Sequence, residues 1–567
     1  MKVNLTQLAD ILEASGILWR LLSRSQLLAE LRPRAVLQLA RQVRRGLRGH
    51  LTLLRLHALA APERLALCAE GIRLTYGELD ARICRLAHGL RRLGVAPGDA
   101  VGLLLDNGHE FIEASAALGL LGATTVQIGY RLKPREVAYI LSHAGVRALL
   151  YHAGHAEVAT EALSLAQADG LPPPIRIVAG AGRGAVPYEE LVSSGPTDDP
   201  PYAPGGSQGS LLLYTSGTTG RSKGARRDMA STSLTTVMAM LAELPLFRDD
   251  RHLVCCPLYH AAAPAFCACV MAVGGSLVIP RHFDATKVPA LIEQERITSS
   301  VMVPTMLGRL MQLGDELRRH DLSSLRWLMS VAAPLPSELA RQVEERLGPI
   351  LYNMYGATET GIVTLARPGE HTARPGTIGR RVFGNDIRLL DEQGREVPVG
   401  QVGELYVKNG TLVSGYFRDP EATRQAMRDG YFSVGDLAYR DADGYYYLAD
   451  RKSDMVISGG VNIYPLEIEQ RLHSHPAVVD SAVIGVPDAD WGESLWAYVV
   501  LRPGWEPGPE LAAELCQFVS QELADYKRPR RVLFVDSIPR GPTGKIDKHM
   551  LRREARLLLQ AMPTAHA

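Results

Sequence analysis

The residues best suited to chemistry lie in a loop rich in Gly, Ser and Thr that follows an apolar run. Residues 211–224 read Leu-Leu-Leu-Tyr-Thr-Ser-Gly-Thr-Thr-Gly-Arg-Ser-Lys-Gly. Glycines allow backbone N–H groups to approach an anion, hydroxyls donate to its oxygens, and Lys223 adds positive charge. The spacing is not that of the Walker motif. A plain surface loop would need neither the lysine nor the apolar strand, so the pattern predicts an anion-binding loop.

The cysteines are a second group of residues that could carry chemistry. Seven are present, and four of them form two close pairs, Cys255 with Cys256 and Cys267 with Cys269. The segment between the pairs is largely apolar, and neither pair has the Cys-x-x-Cys spacing that zinc sites favour. We therefore interpret these cysteines as free and buried, and we expect a reduced, cytoplasmic protein.

The length and charge of the chain limit its class. A chain of 567 residues is expected to form two or more domains. The formal net charge of +1 gives no electrostatic case for binding nucleic acid. Residues 1–60 differ, since ten Lys or Arg and three Asp or Glu give them a formal charge of +7. These residues predict Leu-rich amphipathic helices, broken at Gly16 and Pro33, that either contact an anionic membrane or pack on the main domain.

Two other segments have some features of a targeting or membrane-spanning element. Asp10 and Glu13 interrupt the apolar residues of Met1–Glu30, so no signal peptide is expected there. Leu253–Ile279 lacks Asp, Glu, Lys and Arg and is long enough to span a bilayer. Its prolines and its Gly274-Gly275 pair divide it into short pieces, which favours a buried strand, a loop and a core helix.

Apolar β-rich runs alternate with helical stretches from residue 61 to about residue 450, which predicts an α/β domain with buried strands. Residues 380–450 change to short strands and turns and predict a β-rich subdomain. A charged hinge is expected at residues 451–453. A small mobile α+β domain is expected at 454–560, with strands in VVDSAVIGVP, LWAYVVLR and RVLFVD.

Five motifs occur in the order found in one large group of enzymes. They are Tyr-Thr-Ser-Gly-Thr-Thr-Gly-x-x-Lys-Gly at 214–224, Tyr-Gly-Ala-Thr-Glu-Thr at 355–360, Val-Gly-Asp-Leu at 434–437, the Asp-Arg-Lys-Ser-Asp segment with its Gly-Gly at 450–465, and Pro-Arg-Gly-Pro-Thr-Gly-Lys-Ile at 539–546. With these motifs the chain resembles the adenylate-forming superfamily of acyl-CoA synthetases, luciferases and peptide-synthetase adenylation domains. The resemblance covers roughly residues 60–555, and the chain is most similar to the fatty-acyl-CoA synthetases.

The resemblance implies a small-molecule carboxylate as the substrate, ATP and coenzyme A as co-substrates, and Mg²⁺ as the metal cofactor. Tyr355 would stack on adenine, Asp436 would accept the ribose hydroxyls, and Arg451 would reach ribose or phosphate. Thr358 would donate to the α-phosphate and Glu359 would hold Mg²⁺. Further ATP contacts are implied for Thr215, Ser216, Gly217, Thr218, Thr219, Gly220, Lys223, Ala333, Pro334 and Gly356.

Lys545 is the main catalytic residue that the resemblance implies, because its ammonium would neutralise charge at the α-phosphate. The small domain would then turn about Ser453 and present Gly459 and Gly460 to the thiol. His260 would gate the acyl pocket, although a histidine bonded to the backbone in the core is an alternative. The alanines between residues 261 and 268 leave room for a medium-chain, long-chain or bulky acyl group.

The sequence departs from the superfamily pattern at two places. The adenine loop, usually Ser-Gly-Gly-Ala-Pro, reads Ser-Val-Ala-Ala-Pro at 330–334, and the hinge position carries Ser453 in place of Asp or Lys. Two rival functions stay open at this point. One is an acyl-AMP ligase that loads a carrier-protein thiol, and the other is a non-catalytic fatty-acid-binding protein.

Overall fold

Two helices begin the part of the chain that the structure describes. The structure is a computed structural model and describes residues 33–45, 50–198, 200, 209–215, 222–228, 240–488, 490–541 and 545–561. The helices are α1 (Pro33–Arg45) and α2 (His50–Ala60). The helix predicted before Pro33 lies outside the described residues. Within the described ranges, every helix is too short or too polar to cross a bilayer.

The longest sheet, which we call the central sheet, has fifteen strands. Its first part is parallel through the order β1-β11-β10-β12-β13-β14, and the strands that follow are antiparallel. The β-rich part predicted for residues 380–450 therefore continues this sheet. The strands are β1 (Leu65–Ala69), β2 (Ile72–Thr75), β10 (Arg251–Val254), β11 (Ser276–Ile279), β12 (Ser299–Met302), β13 (Trp327–Ser330), β14 (Leu351–Ala357), β15 (Gly361–Ala366), β16 (Thr377–Arg381), β17 (Asp386–Leu390), β18 (Gly403–Lys408), β20 (Met427–Arg428), β21 (Tyr431–Phe432), β22 (Asp436–Arg440) and β23 (Tyr445–Arg451).

A second sheet of the large domain has eight strands in the order β19-β9-β8-β4-β3-β5-β6-β7. Strands β4, β3, β5 and β6 pair in parallel, and β8 forms an antiparallel hairpin with β9. The apolar runs predicted to be buried strands are strands in both sheets. The members of this sheet are β3 (Ala100–Leu104), β4 (Thr124–Gln127), β5 (Val146–His152), β6 (Ile175–Ala179), β7 (Val186–Pro187), β8 (Ser210–Thr215), β9 (Lys223–Asp228) and β19 (Gly415–Tyr416).

Helices cover the faces of both sheets, as expected for an α/β domain. The segment Leu253–Ile279 forms a strand, a loop and a buried helix, which confirms the prediction for it. The helices of the large domain whose bounds lie within the described residues after α2 are α3 (Tyr76–Arg92), α4 (His109–Leu121), α5 (Pro134–Ala144), α6 (Ala156–Ala168), α7 (Tyr188–Ser193), α8 (Ala262–Ala272), α9 (Val288–Glu295), α10 (Pro304–Met311), α11 (Ser337–Leu347), α12 (Glu370–Ala373) and α13 (Pro420–Ala426).

Helix α2 belongs to the core of the large domain. It packs on α3 and α8, and its leucines at 51, 53, 54 and 56 are buried in the largest hydrophobic cluster. Its buried Arg55 pairs with Asp80 of α3. Nε2 of His57 lies 3.0 Å from the carbonyl oxygen of Ala272 at the end of α8. The last eleven residues of the predicted extension are thus part of the α/β domain.

The small domain follows a turn at residues 452–454. Its own core lies between a sheet that is antiparallel except for the parallel pair β27–β28 and two of its helices. The segments predicted as strands from VVDSAVIGVP, LWAYVVLR and RVLFVD are strands. The elements are β24 (Val456–Ser458), β25 (Val461–Ile463), α14 (Pro465–His473), β26 (Val478–Asp488), β27 (Gly492–Leu501), α15 (Pro509–Ser520), β28 (Arg531–Phe534) and α16 (Lys548–Ala561).

Candidate functional site

One large cavity of about 1550 Å³ lies between the large and the small domain. Walls come from the adenine loop, from the ends of β14 and β23, from α8, and from the segment before α16. The structure brings nine of the predicted site residues to this cavity, namely His260, Ala333, Pro334, Tyr355, Gly356, Thr358, Asp436, Arg451 and Lys545.

Asp436 is the centre of a hydrogen-bonded group on the cavity wall. The hydroxyl of Tyr355 donates to Oδ2 of Asp436 over 2.7 Å, and Nε of Arg451 lies 3.2 Å from Oδ1. Asp436 begins β22 and Arg451 ends β23, and the two residues are directly paired across the sheet. Enclosure by protein atoms, and then the Asp436 carboxylate, raise the pKa of Tyr355 well above 10. Tyr355 therefore stays a neutral donor at physiological pH.

Glu359 is a buried carboxylate near the β8–β9 hairpin. Its Oε1 accepts a hydrogen bond from the hydroxyl of Tyr416 over 3.2 Å. Nζ of Lys223 lies 5.2 Å from the centre of the Tyr416 ring. Within the described ranges, Glu359 forms no ion pair with a Lys or Arg side chain. Such a carboxylate has oxygen lone pairs left for a hard cation, so its chemistry fits Mg²⁺.

Lys545 extends from the small domain into the cavity. The turn that carries it is closed by a bridge between Arg540 and Ile546 and by the bond from the Gly541 N–H to the Lys545 carbonyl. Water reaches the residue, but cavity walls surround its ammonium. This desolvation, followed by the charge of Arg451, lowers the pKa of Lys545, while Asp436 and Glu359 oppose the shift. The Lys545 ammonium thus lies close enough to Arg451, Asp436 and Glu359 of the large domain to interact with their charges.

Several predicted site residues lie away from the cavity wall. Thr215 and Lys223 are paired at the loop end of the β8–β9 hairpin, where β8 ends and β9 begins. The hairpin turn between β24 and β25 holds Gly459 and Gly460, exposed to solvent, and Ser453 is exposed in the hinge turn. Ser216, Gly217, Thr218, Thr219 and Gly220 lie outside the described residues.

The adenine loop keeps an unusual backbone although it lacks the two glycines of the superfamily. Ala332 has a φ of +69°, in the left-handed region that glycine adopts most easily. Ala332, Ala333 and Pro334 all line the cavity. The loop therefore adopts a left-handed backbone conformation at residue 332, although this residue is an alanine.

Sequence reasoning missed several polar residues around the site. Tyr416 holds Glu359, and a guanidinium N–H of Arg227 donates to the Thr358 carbonyl over 2.8 Å. Burial lowers the pKa of Arg227. Lys548 forms a 2.8 Å ion pair with Glu469 near Asp450. Only nine of the 62 basic residues are lysines, so the rarity of Lys was a signal that pointed to Lys548 as well as Lys545.

The cysteine pairs and a histidine cluster have structural surroundings. Cys255, Cys256, Cys267 and Cys269 are free and buried, and burial raises the pKa of each thiol. Elsewhere, Asp106, His152 and His155 are close enough to share a metal ion. Nδ1 of His152 already accepts the Asp106 N–H over 2.9 Å, and Arg281 lies 3.5 Å from the Asp106 carboxylate. These contacts make the cluster a network of ion pairs and hydrogen bonds.

Comparison with known proteins shows which family this chain resembles. Residues 54–417 match the AMP-binding enzyme family and residues 467–545 match the AMP-binding enzyme C-terminal domain. The chain is 39% identical to a feruloyl-CoA synthase of Amycolatopsis sp over 87% of its length and 96% of the relative's. It is 35% identical to the long-chain-fatty-acid–CoA ligase FadD13 of Mycobacterium tuberculosis, over 85% and 93% of the two chains.

A solved structure shows that the similarity also holds for the fold. The crystal structure of the anthranilate CoA ligase AuaEII with anthranoyl-AMP superimposes with a TM-score of 0.83 at 29% identity, covering 91% of this chain and 98% of the other. The chain therefore belongs to the AMP-binding enzymes, the adenylate-forming superfamily in which these relatives are acid–CoA ligases.

Proposed function

We propose that the protein activates a medium-chain, long-chain or bulky carboxylic acid with ATP and transfers the acyl group to coenzyme A. The observation that carries this proposal is the meeting of Lys545 from the small domain with Tyr355, Asp436 and Arg451 in one cavity. A binding protein without catalysis would have no need to bring a lysine from a second domain to such a group.

In the first step, a carboxylate oxygen attacks the α-phosphate of ATP. The new O–P bond forms as the bond to pyrophosphate breaks, and acyl-AMP results. Tyr355 and Asp436 hold adenine and ribose, while the Thr358 hydroxyl and the Lys545 ammonium stabilise the charge on the α-phosphate oxygens. Holding both reactants in one cavity removes the entropic cost of bringing them together.

Magnesium fits the carboxylate of Glu359, as judged from its burial and its lack of a described ion-pair partner. When bound, Mg²⁺ would shield the phosphate charges. The chain's own part is to orient the Glu359 carboxylate through the hydroxyl of Tyr416. Lys223, whose ammonium lies over the ring of Tyr416, would add a positive charge to that of Mg²⁺.

In the second step, a thiol sulfur attacks the acyl carbon and loses its proton, and AMP leaves with the electrons of the single bond between the acyl carbon and the phosphate oxygen. We propose that the small domain turns about Ser453, which withdraws Lys545 and brings Gly459 and Gly460 to the cavity. The turn that they form is exposed, together with the neighbouring Ile457 and Trp491. An exposed apolar surface beside a glycine turn supports a role in admitting a thiol arm.

The acyl group is proposed to be long or bulky. The cavity continues past His260 along α8, whose small side chains at residues 262, 263, 265 and 268 leave space. The relatives that act on a long-chain fatty acid and on a feruloyl group both support this size class. Thiols that are free and buried support the proposed cytoplasmic location.

We also propose a peripheral membrane contact through residues 1–49. Helix α1 exposes Leu37, Arg41 and Arg44. Basic residues beside exposed apolar ones are suited to an anionic bilayer. Such a contact would keep the enzyme near an acid of low solubility.

The test of the main proposal is pyrophosphate release with a panel of fatty, aromatic and sterol carboxylates, with and without coenzyme A. Release that depends on an acid, together with an acyl-CoA product, supports the proposal. Release that never exceeds the no-acid background would leave the non-catalytic alternative. Acyl-AMP that forms but reacts only with a carrier-protein thiol would favour the carrier-loading alternative.

A further inference from the structure

The inner wall of the cavity is one face of the eight-stranded sheet. Thr125 and Gln127 of β4 line the cavity, as do Leu211 and Leu213 of β8. Thr125 pairs with Leu211 and Gln127 with Leu213, so these side chains share a face. The alternate residues, such as Val126, lie in a separate core on the opposite face. Two polar side chains of β4 are therefore directed to the cavity.

Helix α4 forms the adjoining wall. Ile112, Ser115, Ala116 and Gly119 line the cavity at spacings that put them on one face of the helix. The distance along the helix from the first to the last is about 10 Å. The cavity therefore extends well beyond the ends of the strands, as a channel along α4.

Part of the lining of this channel is apolar. Leu51 and Leu54 of α2 line it, one turn apart, and α8 adds Phe266 and Met271. The helix α2 that carries the two leucines is itself anchored by the Arg55–Asp80 ion pair. The channel thus has an apolar wall on an anchored helix and polar side chains on another wall.

The polar wall belongs to the acyl side of the cavity. Asn107 donates from Nδ2 to the Cys256 carbonyl and accepts from the Leu258 N–H, which holds the segment before His260 against the end of β3. Tyr130, three residues after Gln127, meets the ring of Tyr259 edge-on at 5.1 Å. Gln127 is therefore close in the fold to the segment that gates the acyl pocket.

Two polar atoms on these walls have no hydrogen-bond partner among the described residues. They are Oε1 of Gln127, in a residue that is only 5% exposed, and Oγ of Ser115. Buried polar atoms are nearly always hydrogen-bonded, and each exception needs an explanation. A plain alkyl chain in the channel would leave both atoms unpaired, which costs binding energy.

We propose that the channel selects an acid whose acyl group carries a hydroxyl, and that this hydroxyl hydrogen-bonds to the side-chain amide of Gln127. This inference rests on the proposed acid activation and names its substrate class. A neutral amide on a wall with Thr125 and Ser115 suits a neutral hydroxyl better than a second carboxylate. The guanidinium on the same sheet face, Arg227, is bonded to the Thr358 carbonyl. A site built for a hydroxyl discriminates strongly against the analogue that lacks it.

The test compares kcat/KM for matched pairs of acids. The pairs are para-hydroxycinnamate with cinnamate, and each ω-hydroxylated straight-chain acid from octanoate to palmitate with its unsubstituted partner. In wild-type protein we expect a preference of about tenfold or more for the hydroxylated member of at least one pair. In Gln127→Met, which keeps the size and removes the amide, we expect that ratio to fall to about one.

Val126→Ala is the matched control, because it alters the same strand on its opposite face. It is expected to keep the wild-type ratio, whatever it does to stability. A wild-type enzyme that turns over acids without preference in any pair would overturn the inference and leave the proposed function intact. A preference that survives in Gln127→Met would also overturn it. Failure to turn over any acid would instead remove the proposed function and the inference with it.

Discussion

Tyr355 and Asp436 form a single hydrogen-bonded unit, with 2.7 Å between the tyrosine hydroxyl and Oδ2 of the carboxylate. The ring proposed to stack on adenine is thereby fixed to the group proposed to hold ribose. Asp436 is also close to Arg451, with 3.2 Å between Oδ1 and Nε. Each carboxylate oxygen has two lone pairs, so Asp436 still has acceptor sites for ribose hydroxyls.

The first prediction concerns Tyr355→Phe, which keeps the aromatic face and removes the hydroxyl. Loss of a hydrogen bond to a charged group should raise KM for ATP about tenfold. The kcat should change less, because the reacting atoms are not touched. Tyr431→Phe is the matched control, since its hydroxyl bonds to Asp386 away from the cavity. An unchanged KM for ATP in Tyr355→Phe would contradict the proposed role of the pair.

The second prediction concerns Lys545→Ala. Acyl-AMP formation should fall on the order of 100-fold or more, because a preorganised charge at the α-phosphate is lost. Thioester formation from supplied acyl-AMP should be largely spared, since Lys545 is proposed to leave the cavity before that step. Single-turnover assays of the two half-reactions separate these effects.

The control for the lysine variant is Lys408→Ala, which removes a lysine that lies over the Tyr431 ring in the large domain. It should leave both half-reactions near the wild-type rates. Equal losses in both half-reactions of Lys545→Ala, with an unchanged unfolding temperature, would show that Lys545 does not act in the first step alone.

The sequence predicted those parts of the fold and site that depend on local pattern. The apolar run before Thr215 is a strand, and the segment from Leu253 to Ile279 is divided at its prolines and glycines as expected. Helix α2 could not be assigned, because leucines beside arginines give the same pattern on a membrane helix and on a core helix with one buried ion pair. Gln127 was equally hidden, since a single polar residue in an apolar strand does not reveal which face lines a cavity.

The third prediction concerns Asp450 at the junction of the domains. Its carboxylate accepts the N–H groups of Arg451 and Leu466 over 2.7 and 3.0 Å. Burial raises its pKa to about 6, against the opposing charge of Lys548. The native state therefore binds more protons than the unfolded state between roughly pH 4 and 6, so this residue's contribution to stability falls as pH rises through that window.

Asp450→Asn isolates this contribution, because it removes the titrating group and keeps one acceptor oxygen. The free energy of unfolding of the wild type, relative to that of Asp450→Asn, should fall by about 2–3 kcal/mol from pH 4 to pH 7. Denaturant unfolding at several pH values measures the difference. A difference that is constant with pH, or that grows as pH rises, would refute the raised pKa.

The fourth prediction concerns Ala332, whose φ of +69° strains a residue with a Cβ. Ala332→Gly should raise the free energy of unfolding by about 0.5–1 kcal/mol, as the relief of strain exceeds the added freedom of the unfolded chain. Ala333→Gly is the control, because that neighbour has no positive φ and should lose stability. A loss of stability in both variants would show that the left-handed backbone at residue 332 carries little strain.

The last prediction separates the two halves of the N-terminal region. A chain that begins at Ala61 lacks α2 and should be insoluble or strongly destabilised, because four buried leucines and the Arg55–Asp80 pair are lost. Each buried leucine alone contributes about 2–5 kcal/mol.

A chain that begins at His50 keeps α2 and should retain cooperative unfolding and activity on a short soluble acid. It should no longer sediment with anionic liposomes at low salt, since α1 carries the exposed Leu37 and its basic neighbours, each worth about 1 kcal/mol near an anionic surface. Full-length protein that ignores liposomes at low salt, or a His50 chain that still binds them, would rule out a membrane role for residues 1–49. A soluble, fully active Ala61 chain would show that α2 is not needed to close the core.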